Sequence, residues 1–409
     1  MNSTNLFQMA LGLSSPWYVK DISFTTTEDA AKQLNIHIDF RRGAKFTDLA
    51  GVVCSVYDTA QREWQHLDFF QHRCMLHARV PRIKTSSSEV KQIDVPWARP
   101  GSGFTLLFEA FAMCLIENEM PVNKAAATLS VYPNRLCTVF NYWVKRALAK
   151  DDLSSLEDIG IDETSSRKGH NYVMLAADLK KRRVVFVTEG KDEKTLKAFK
   201  EYLKKKQVSP KQIKNIGIDM SPAFIAGIMK NFPDSSIVFD RFHIVKLLNE
   251  AMDTVRKAER RQHNALKGHK YTFLKKNKNL TVQQRIAKYE LIEDYPTLGE
   301  AYRLKELFDD FWDFKDPEEA NAFLAYWCDL TQEAKIRPFI KFANTIKAHW
   351  TGVLNYINAN ISNGVLEGIN NKIQLAKRRA RGYRNIDNFI AMIYFIAGKL
   401  EFDYPHRST

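Results

Sequence analysis

The chain has 409 residues, of which 45% are hydrophobic and 26% are charged. This balance is typical of a soluble globular protein of two or three domains, and it argues against a disordered or fibrous chain. Lys and Arg total 61 against 47 acids, a formal net charge of +14, which favours a polyanionic partner such as nucleic acid.

Cysteine and apolar patterns exclude further classes of protein. The five cysteines form no Cys-x-x-Cys pair, so neither a zinc ribbon nor a redox motif is predicted, and reduced thiols in a cytoplasm are expected. The N-terminus lacks the basic start and apolar core of a signal peptide. The most apolar stretches, residues 104–116 and 389–398, are shorter than the roughly 20 residues needed to span a bilayer.

Residues 1–99 favour strands and predict a small β-rich N-terminal module. Apolar and polar residues alternate at residues 37–40 and 76–80, and residues 85–88 (TSSS) are typical of a loop. The proline and glycine residues between positions 96 and 103 then mark a domain boundary.

Residues 100–150 predict a helix-turn-helix DNA-binding domain. An apolar helix from Phe104 is followed by a short helix that Pro121 can start, a turn at residues 130–133, and a longer basic helix from about Asn134. This order resembles a helix-turn-helix, although any three-helix bundle is an alternative. The basic side chains available for DNA are Arg135, Lys145 and Arg146.

Residues 155–246 predict the first part of an α/β domain. Three strands at about residues 159–162, 172–177 and 184–187 precede a helix, a strand at 216–219, a helix opened by Pro222 and a strand at 237–240. The order β-β-β-α-β-α-β is that of an RNase H-like core, a mixed five-stranded sheet with flanking helices.

Residues 247–358 are helical throughout and predict an insertion into this core. Residues 359–400 then supply its last part, with a helix from near Asn363 to Gly382 and an apolar helix at 389–400. We therefore predict a multidomain α+β and α/β protein.

Three acids at the ends of predicted buried strands suggest a metal site: Asp162, Asp219 and Asp240. Strand ends are where α/β sheets build sites, and a carboxylate beside a dry core needs a compensating metal or donor. Phosphoryl transfer uses such clusters to hold two Mg²⁺ ions. A structural alternative exists for Asp219, which precedes Met220-Ser221-Pro222 and could cap a helix.

Glu367 is the third acid predicted for the metal site. On a helix, Asn370, Asn371, Gln374, Arg378 and Arg381 share its face. Six basic residues and no acid lie between positions 372 and 384, which favours phosphate contacts over a merely solvated face. His243 lies three residues after Asp240, and it can orient that carboxylate, touch the leaving strand or serve only a structural role.

Several of these segments resemble one known family, the insertion-sequence transposases of the ISL-three family. The matching motifs are residues 76–82 (LHARVPR), 95–103 (VPWARPGSG), 160–172 (GIDETSSRKGHNY), 218–221 (IDMS), 240–243 (DRFH) and 363–372 (NGVLEGINNK). The similarity runs from about residue 45 to residue 400, and the fixed order of several motifs makes it specific.

The resemblance implies a DDE transposase with Asp162, Asp219 and Glu367 as the catalytic triad. Two Mg²⁺ or Mn²⁺ ions are then expected, and Asp240 and His243 become possible accessory residues. The implied partners are the terminal inverted repeats of the element and its target DNA, bound by a homodimer or larger assembly in the bacterial cytoplasm at the nucleoid.

The sequence departs from the family pattern in its N-terminal module. The family usually carries a cysteine-rich zinc motif there, whereas the equivalent positions here are Gly51, Cys54, Thr85 and Ser88. One thiol cannot build a tetrahedral zinc site, which argues against structural zinc. Two alternatives to an active transposase stay open: an RNase H-like nuclease without strand transfer, and a non-catalytic DNA-binding protein derived from a transposase.

Overall fold

The computed structural model describes residues 3–28, 30–48, 50–85, 88–167, 169, 171–359, 361 and 364–405. The chain divides into two compact units, one of residues 1–149 with 401–409 and the other of residues 150–400. Each combines a mixed sheet with helices, so the α+β class is confirmed. The predicted helix start at Asn363 and the predicted loop residues Ser86 and Ser87 lie outside the described residues.

A six-stranded sheet forms much of the first unit. Its strands are β1 (Trp17–Thr26), β2 (Lys32–Phe40), β3 (Lys45–Thr47), β4 (Val53–Phe69), β5 (His72–Lys84) and β6 (Val90–Gln92). The order is β1-β2-β5-β4-β3, with β6 beside β5, and only β2 and β5 run parallel. The strands predicted at residues 37–40 and 76–80 are parts of β2 and β5. Helix α1 (Ser3–Ala10) precedes the sheet and was not predicted.

Three helices with the predicted spacing follow this sheet: α2 (Leu106–Glu117), α3 (Val122–Thr128) and α4 (Pro133–Lys150). The fully buried carboxylate of Glu109 joins α2 to α4, because it accepts a 2.8 Å hydrogen bond from Trp143 Nε1 and a 2.9 Å bond from Arg99 Nε. A buried carboxylate is costly without such partners, so these bonds explain how an apolar helix tolerates an acid.

The second unit is built on a five-stranded mixed sheet. Its strands are β7 (Asp158–Arg167), β8 (Asn171–Asp178), β9 (Arg183–Glu189), β10 (Asn215–Ile218) and β11 (Ser236–Phe239), in the order β11-β10-β7-β8-β9. β10 runs parallel to β7 and β11, and β8 runs antiparallel to β7 and β9. Helices α5 (Glu193–Lys205) and α6 (Pro222–Asn231) connect the strands in the predicted positions.

A helical segment of residues 241–359 follows β11. Its helices are α7 (Arg241–Gln262), α8 (Lys270–Leu274), α9 (Val282–Asp294), α10 (Pro296–Asp310), α11 (Pro317–Glu333), α12 (Arg337–Ala348) and α13 (Trp350–Ala359). Apolar residues of this segment and of the sheet form one continuous core. Asn355 of α13 donates a 2.8 Å hydrogen bond to the Ile237 carbonyl, so α13 covers the edge strand β11 and satisfies part of its backbone.

Two helices close the second unit: α14 (Gly364–Arg379) and α15 (Ile386–Ala397). The prediction that α14 ends at Gly382 is wrong, because the chain leaves the helix after Arg379. Arg381 adopts the left-handed region at φ +56°, and the Gly382 N–H bonds the Lys377 carbonyl at 2.9 Å, as in a Schellman turn. Arg381 therefore lies beyond the helix and does not continue the face of Glu367.

The predicted last helix is also displaced towards the N-terminus of the chain. It begins at Ile386, where the Asn385 side chain accepts hydrogen bonds from the Asp387 and Asn388 N–H groups, and it ends at Ala397. Across the described ranges, none of the helices combines the length and the apolar character needed to cross a membrane.

Candidate active site

The three acids predicted at strand ends, Asp162, Asp219 and Asp240, lie at the end of the five-stranded sheet where the parallel strands β10 and β11 finish. Asp219 follows the last residue of β10 and Asp240 follows the last residue of β11, which are the carboxyl ends of two parallel strands. Asp162 is different, because β7 continues to Arg167. The prediction that Asp162 ends a short strand is therefore wrong.

Strand pairing explains why Asp162 still reaches the same end of the sheet. Pairing between β10 and β7 stops at Gly217 and Gly160, whereas β7 continues along β8, with Asp162 opposite Leu175. β7 therefore extends further than its parallel neighbour β10. Asp162 lies just beyond the end of β10, where β7 is still paired with β8. Because β10 ends at Ile218, Asp162 lies beside Asp219, the residue that follows β10, and both line the same cavity.

Hydrogen bonds from the backbone and from Asn370 orient the first two carboxylates. Asp162 Oδ1 accepts a 2.7 Å bond from the Glu163 N–H, and its Oδ2 accepts a 2.6 Å bond from Asn370 Nδ2. Asp219 Oδ1 accepts a 3.1 Å bond from the Ser221 N–H. Ser221, rather than Asp219, occupies the N-cap position of α6, so the capping alternative for Asp219 is wrong.

The capping role belongs to Asp240 instead. Its carboxylate accepts a 3.0 Å hydrogen bond from the Phe242 N–H at the start of α7, and its second oxygen lies 3.0 Å from His243 Nδ1. This contact raises the pKa of His243, burial opposes the rise, and the charges of Asp240, Asp219 and Asp162 add to it. The neighbouring acids therefore stabilise the protonated form of His243 relative to a solvated imidazole.

Helix α14 carries Glu367 and lies along β7. Besides the bond from Asn370 to Asp162, Gln374 Nε2 donates to Thr164 Oγ1 at 2.9 Å, and Lys377 Nζ donates to the Ser165 carbonyl at 2.7 Å. Part of the polar stripe predicted to face DNA thus fixes α14 to the sheet. The contact of Lys377 was not predicted, and its only signal was its position seven residues after Asn370.

Close packing at Gly160 sets how closely helix α14 approaches the sheet. A Cβ atom at Gly160 would lie 2.8 Å from Leu366 Cδ1 and 2.9 Å from Leu179 Cδ2. Leu366, which is buried, therefore occupies space that any other residue at position 160 would fill. Because Glu367 is the next residue, this glycine positions the third acid.

The predicted triad lines one open cavity of about 530 Å³. Asp162, Asp219 and Glu367 share this cavity with the predicted accessory residues Asp240 and His243 and with Asn370 and Asn371. The sequence assigned no role to several other side chains that line it, among them Arg241, Phe242, Val245, Lys276 and Tyr356. Arg241 and Phe242 adjoin Asp240, whereas Lys276 and Tyr356 lie in the helical segment with no local signal.

The acids near the cavity differ in their surroundings. Burial raises the pKa of Asp162, and the nearby charge of Asp219 adds to the rise, although the Glu163 N–H, His243 and Asn370 lower it. Glu163 does not line the cavity, and its carboxylate lies 3.9 Å from Lys191 Nζ. Within the described residues, no three His, Cys, Asp or Glu side chains stand close enough to hold one metal ion jointly.

The remaining predicted DNA-binding residues lie on exposed surfaces. In the first unit, the Arg135 guanidinium stacks on Phe104, Lys145 is exposed, and Arg146 forms a 2.7 Å ion pair with Asp403. In the second unit, Arg378 is exposed on the last turn of α14.

Two parts of the chain match models of known protein families. Residues 159–393 match the model of a DDE family described as transposase, and residues 93–144 match the helix-turn-helix domain of transposase family ISL3. The transposase for insertion sequence element IS1001 of Bordetella parapertussis is 25% identical over 90% of this chain and 92% of its own length.

A second relative aligns along nearly the whole chain. The transposase for insertion sequence element IS1557 of Mycobacterium tuberculosis is 26% identical over 96% of this chain and 95% of its own length. The family model alone spans more than half of the 409 residues. The chain belongs to the ISL3 (ISL-three) family of insertion-sequence transposases.

Proposed function

We propose that this transposase binds two divalent metal ions, Mg²⁺ or Mn²⁺, through Asp162, Asp219 and Glu367. With them it cleaves the ends of its insertion sequence and joins them to target DNA. The observation that carries the proposal is the shared cavity, which is lined by these three carboxylates from β7, from the residue after β10 and from α14. Acids so far apart in the chain gain nothing for stability by meeting in one place, so their meeting favours a functional site.

The donor set fits magnesium. Mg²⁺ prefers hard oxygen ligands, and the cavity offers carboxylates together with Asn370 Oδ1, a buried oxygen without a hydrogen-bond partner among the described residues. When bound, two such ions stabilise the attacking and leaving oxygens of an in-line displacement. Ion binding would draw the carboxylates closer together than they lie in the described arrangement.

Residues around the triad support the same chemistry. Asp240 holds His243 through Nδ1, so the ring can keep a proton at the cavity and offer Nε2 to a DNA oxygen. Arg241, whose guanidinium stacks on Trp312 at 5.0 Å, adds a fixed positive charge to the wall. These cations offset the repulsion between the acids and an incoming phosphodiester.

We further propose a division of labour along the chain. Residues 1–99 and 100–150 form a β-rich module and a helix-turn-helix that read the terminal inverted repeats, with Arg135, Lys145 and Arg146 towards DNA. Residues 155–246 and 359–400 form an RNase H-like core, and residues 247–358 are an insertion within it. The strand order β11-β10-β7-β8-β9 and the helix-turn-helix match support this division.

The partner is double-stranded DNA, bound by a homodimer or larger assembly because two element ends must be processed together. Exposed Arg378 at the end of α14 and Asn371 at the cavity suit phosphate contacts, and backbone contacts of this kind position DNA without reading its sequence.

Replacing Asp219 with Asn tests the proposal. The change keeps the shape of the side chain but removes a metal-binding charge, so cleavage of element-end DNA with Mg²⁺ should fall by orders of magnitude while gel-shift binding persists. Glu163→Gln is the matched control and should keep most of the activity, because Glu163 does not line the cavity.

Three other results would change the assignment. Equal cleavage by the Asp219→Asn variant and the unaltered protein would remove Asp219 from the mechanism. Tight end binding without cleavage by the unaltered protein would favour a DNA-binding relic. Cleavage without joining to target DNA would favour a nuclease.

A further inference from the structure

We propose that Lys276 is a phosphate-binding residue of the catalytic cavity, and that two buried lysines, Lys288 and Lys305, hold the turn that carries it. The inference rests on the proposed function, because it names a substrate contact of the same cavity. Lys276 lies in the short turn between α8 and α9, more than fifty residues from Asp219.

The position of Lys276 suits a contact with a polyanion. Its side chain lines the cavity that contains Asp162, Asp219 and Glu367, and it remains 33% exposed. Its ammonium forms a 2.9 Å ion pair with Asp309. An ammonium group has three donors, so one can bond Asp309 while the others stay available to phosphate oxygens.

The turn beside Lys276 is anchored on both sides. Lys305 Nζ donates to the Lys275 carbonyl at 3.1 Å and to Glu306 Oε1 at 2.6 Å. The other oxygen of Glu306 accepts a 3.0 Å bond from the Asn277 N–H. The residues immediately before and after Lys276 are therefore both tied to α10.

A second buried lysine completes the anchor. Lys288 Nζ donates to Asn277 Oδ1 at 2.9 Å, and the Tyr302 ring lies 5.0 Å from Lys288 Nζ and 4.9 Å from Lys305 Nζ. Lys288 and Lys305 are only 4% and 3% exposed. Lysine is almost never buried so fully without partners, and here the partners include backbone and side-chain atoms of the turn.

This arrangement exceeds what a connection between helices requires. Burying two ammonium groups is costly, and a short polar turn can be solvated without them. A fixed turn has one clear consequence, which is that Lys276 is held at the cavity before DNA arrives. Such preorganisation lowers the entropy lost when a phosphate is bound.

The nature of the ligand follows from the charges around the cavity. Four acids line it, and without metal they repel DNA. A cation fixed at its wall can instead hold a backbone phosphate near the metal-binding acids, and Lys acts in this role as a point charge. Lys276 would therefore contact a phosphate adjacent to the cleaved bond.

The experiment compares Lys276→Ala with Lys278→Ala on element-end DNA. Lys278 lies on the same turn, is exposed and does not line the cavity. We expect Lys276→Ala to weaken binding about tenfold at low salt and to reduce the log–log salt slope by about 0.9, the value for one phosphate contact. Lys278→Ala should change neither quantity by as much, and Lys276→Arg should restore most of the affinity.

Neutral phosphate substitution locates the contact. A single methylphosphonate next to the cleaved position should weaken binding by the unaltered protein, but should have little further effect on the Lys276→Ala variant. Lys305→Met should reproduce part of the loss and speed amide hydrogen exchange at residues 275–279. Additive effects of the methylphosphonate and Lys276→Ala, or equal salt slopes for both alanine variants, would overturn the inference.

Binding and cleavage separate this inference from the proposed function. If the unaltered protein binds element ends but does not cleave them, the proposed chemistry fails while the binding comparison still decides on Lys276. If it cleaves and the two alanine variants bind alike, the proposed function stands and the role of Lys276 is refuted.

Discussion

Asn370 donates a 2.6 Å hydrogen bond to the carboxylate of Asp162, and this bond ties helix α14 to strand β7 at the cavity. The same side chain keeps its own oxygen buried and without a hydrogen-bond partner among the described residues. One amide thus links the first acid of the site to the helix that carries the third, Glu367, one turn away.

Removing this amide should weaken catalysis. A hydrogen bond to a charged group contributes about 1.5–3 kcal/mol, so Asn370→Ala should lower cleavage at neutral pH by about 10- to 100-fold. The bond from Asn370 also lowers the pKa of Asp162. Its loss should move the acid limb of the pH–rate profile to higher pH, because the carboxylate must be ionised to bind metal.

The control for Asn370 lies one turn along the same helix. Gln374→Ala removes the 2.9 Å hydrogen bond to Thr164, so it weakens the same docking without touching Asp162. A pH–rate profile that shifts equally in both variants would mean that helix docking, rather than the Asp162 carboxylate, controls the rate.

When no metal ion is bound, the buried carboxylate of Asp162 should lower the free energy of unfolding at neutral pH. Burial raises the pKa of Asp162 in the folded protein. The protonated carboxyl therefore contributes to the free energy of unfolding. This contribution is fully present below the unfolded pKa, near 4, and is lost as pH rises through the folded pKa. In chelator, Asp162→Asn should therefore raise the free energy of unfolding at pH 7. Added Mg²⁺ should stabilise the unaltered protein but not the variant, as urea unfolding would reveal.

Gly160 should tolerate no side chain while Leu366 is present. Gly160→Ala places a Cβ atom 2.8 Å from Leu366, and overpacking of this kind costs about 1–3 kcal/mol. We expect lower stability in urea unfolding and reduced cleavage, since α14 must shift with Glu367. Gly160→Ala combined with Leu366→Ala should recover part of the cleavage lost by the single variant. No recovery would indicate that Leu179, the other neighbour, controls the site.

Arg378 in the last turn of α14 and Arg381 in the turn after it should separate DNA binding from stability. Arg378→Ala should reduce DNA affinity on any sequence with little change in unfolding, because the side chain is exposed. Arg381→Gly should raise the free energy of unfolding by up to about 1 kcal/mol, since Arg381 occupies a left-handed conformation that favours glycine. Gel shifts at several salt concentrations and urea unfolding measure both effects. Equal stability of Arg381→Gly and the unaltered protein would contradict the strain argument.

Local sequence patterns determined much of this protein. Alternation and apolar periodicity located β2, β5, the three helices after the first sheet, and the strands and helices from β7 to β11, because burial of one face imposes a repeat of two or 3.6 residues. Motifs in fixed order identified the family and singled out Asp162, Asp219 and Glu367.

Tertiary structure decided how these parts meet. Pairing with β8 extends β7 past Asp162, and docking on β7 turns Asn370 and Gln374 inwards, which helical periodicity alone does not determine. A Schellman turn removes Arg381 from the helix. Lys276 lines the cavity from a turn that two buried lysines contact through hydrogen bonds. Strand register, helix docking and long-range ion pairing depend on residues distant in the chain, so local periodicity cannot encode them.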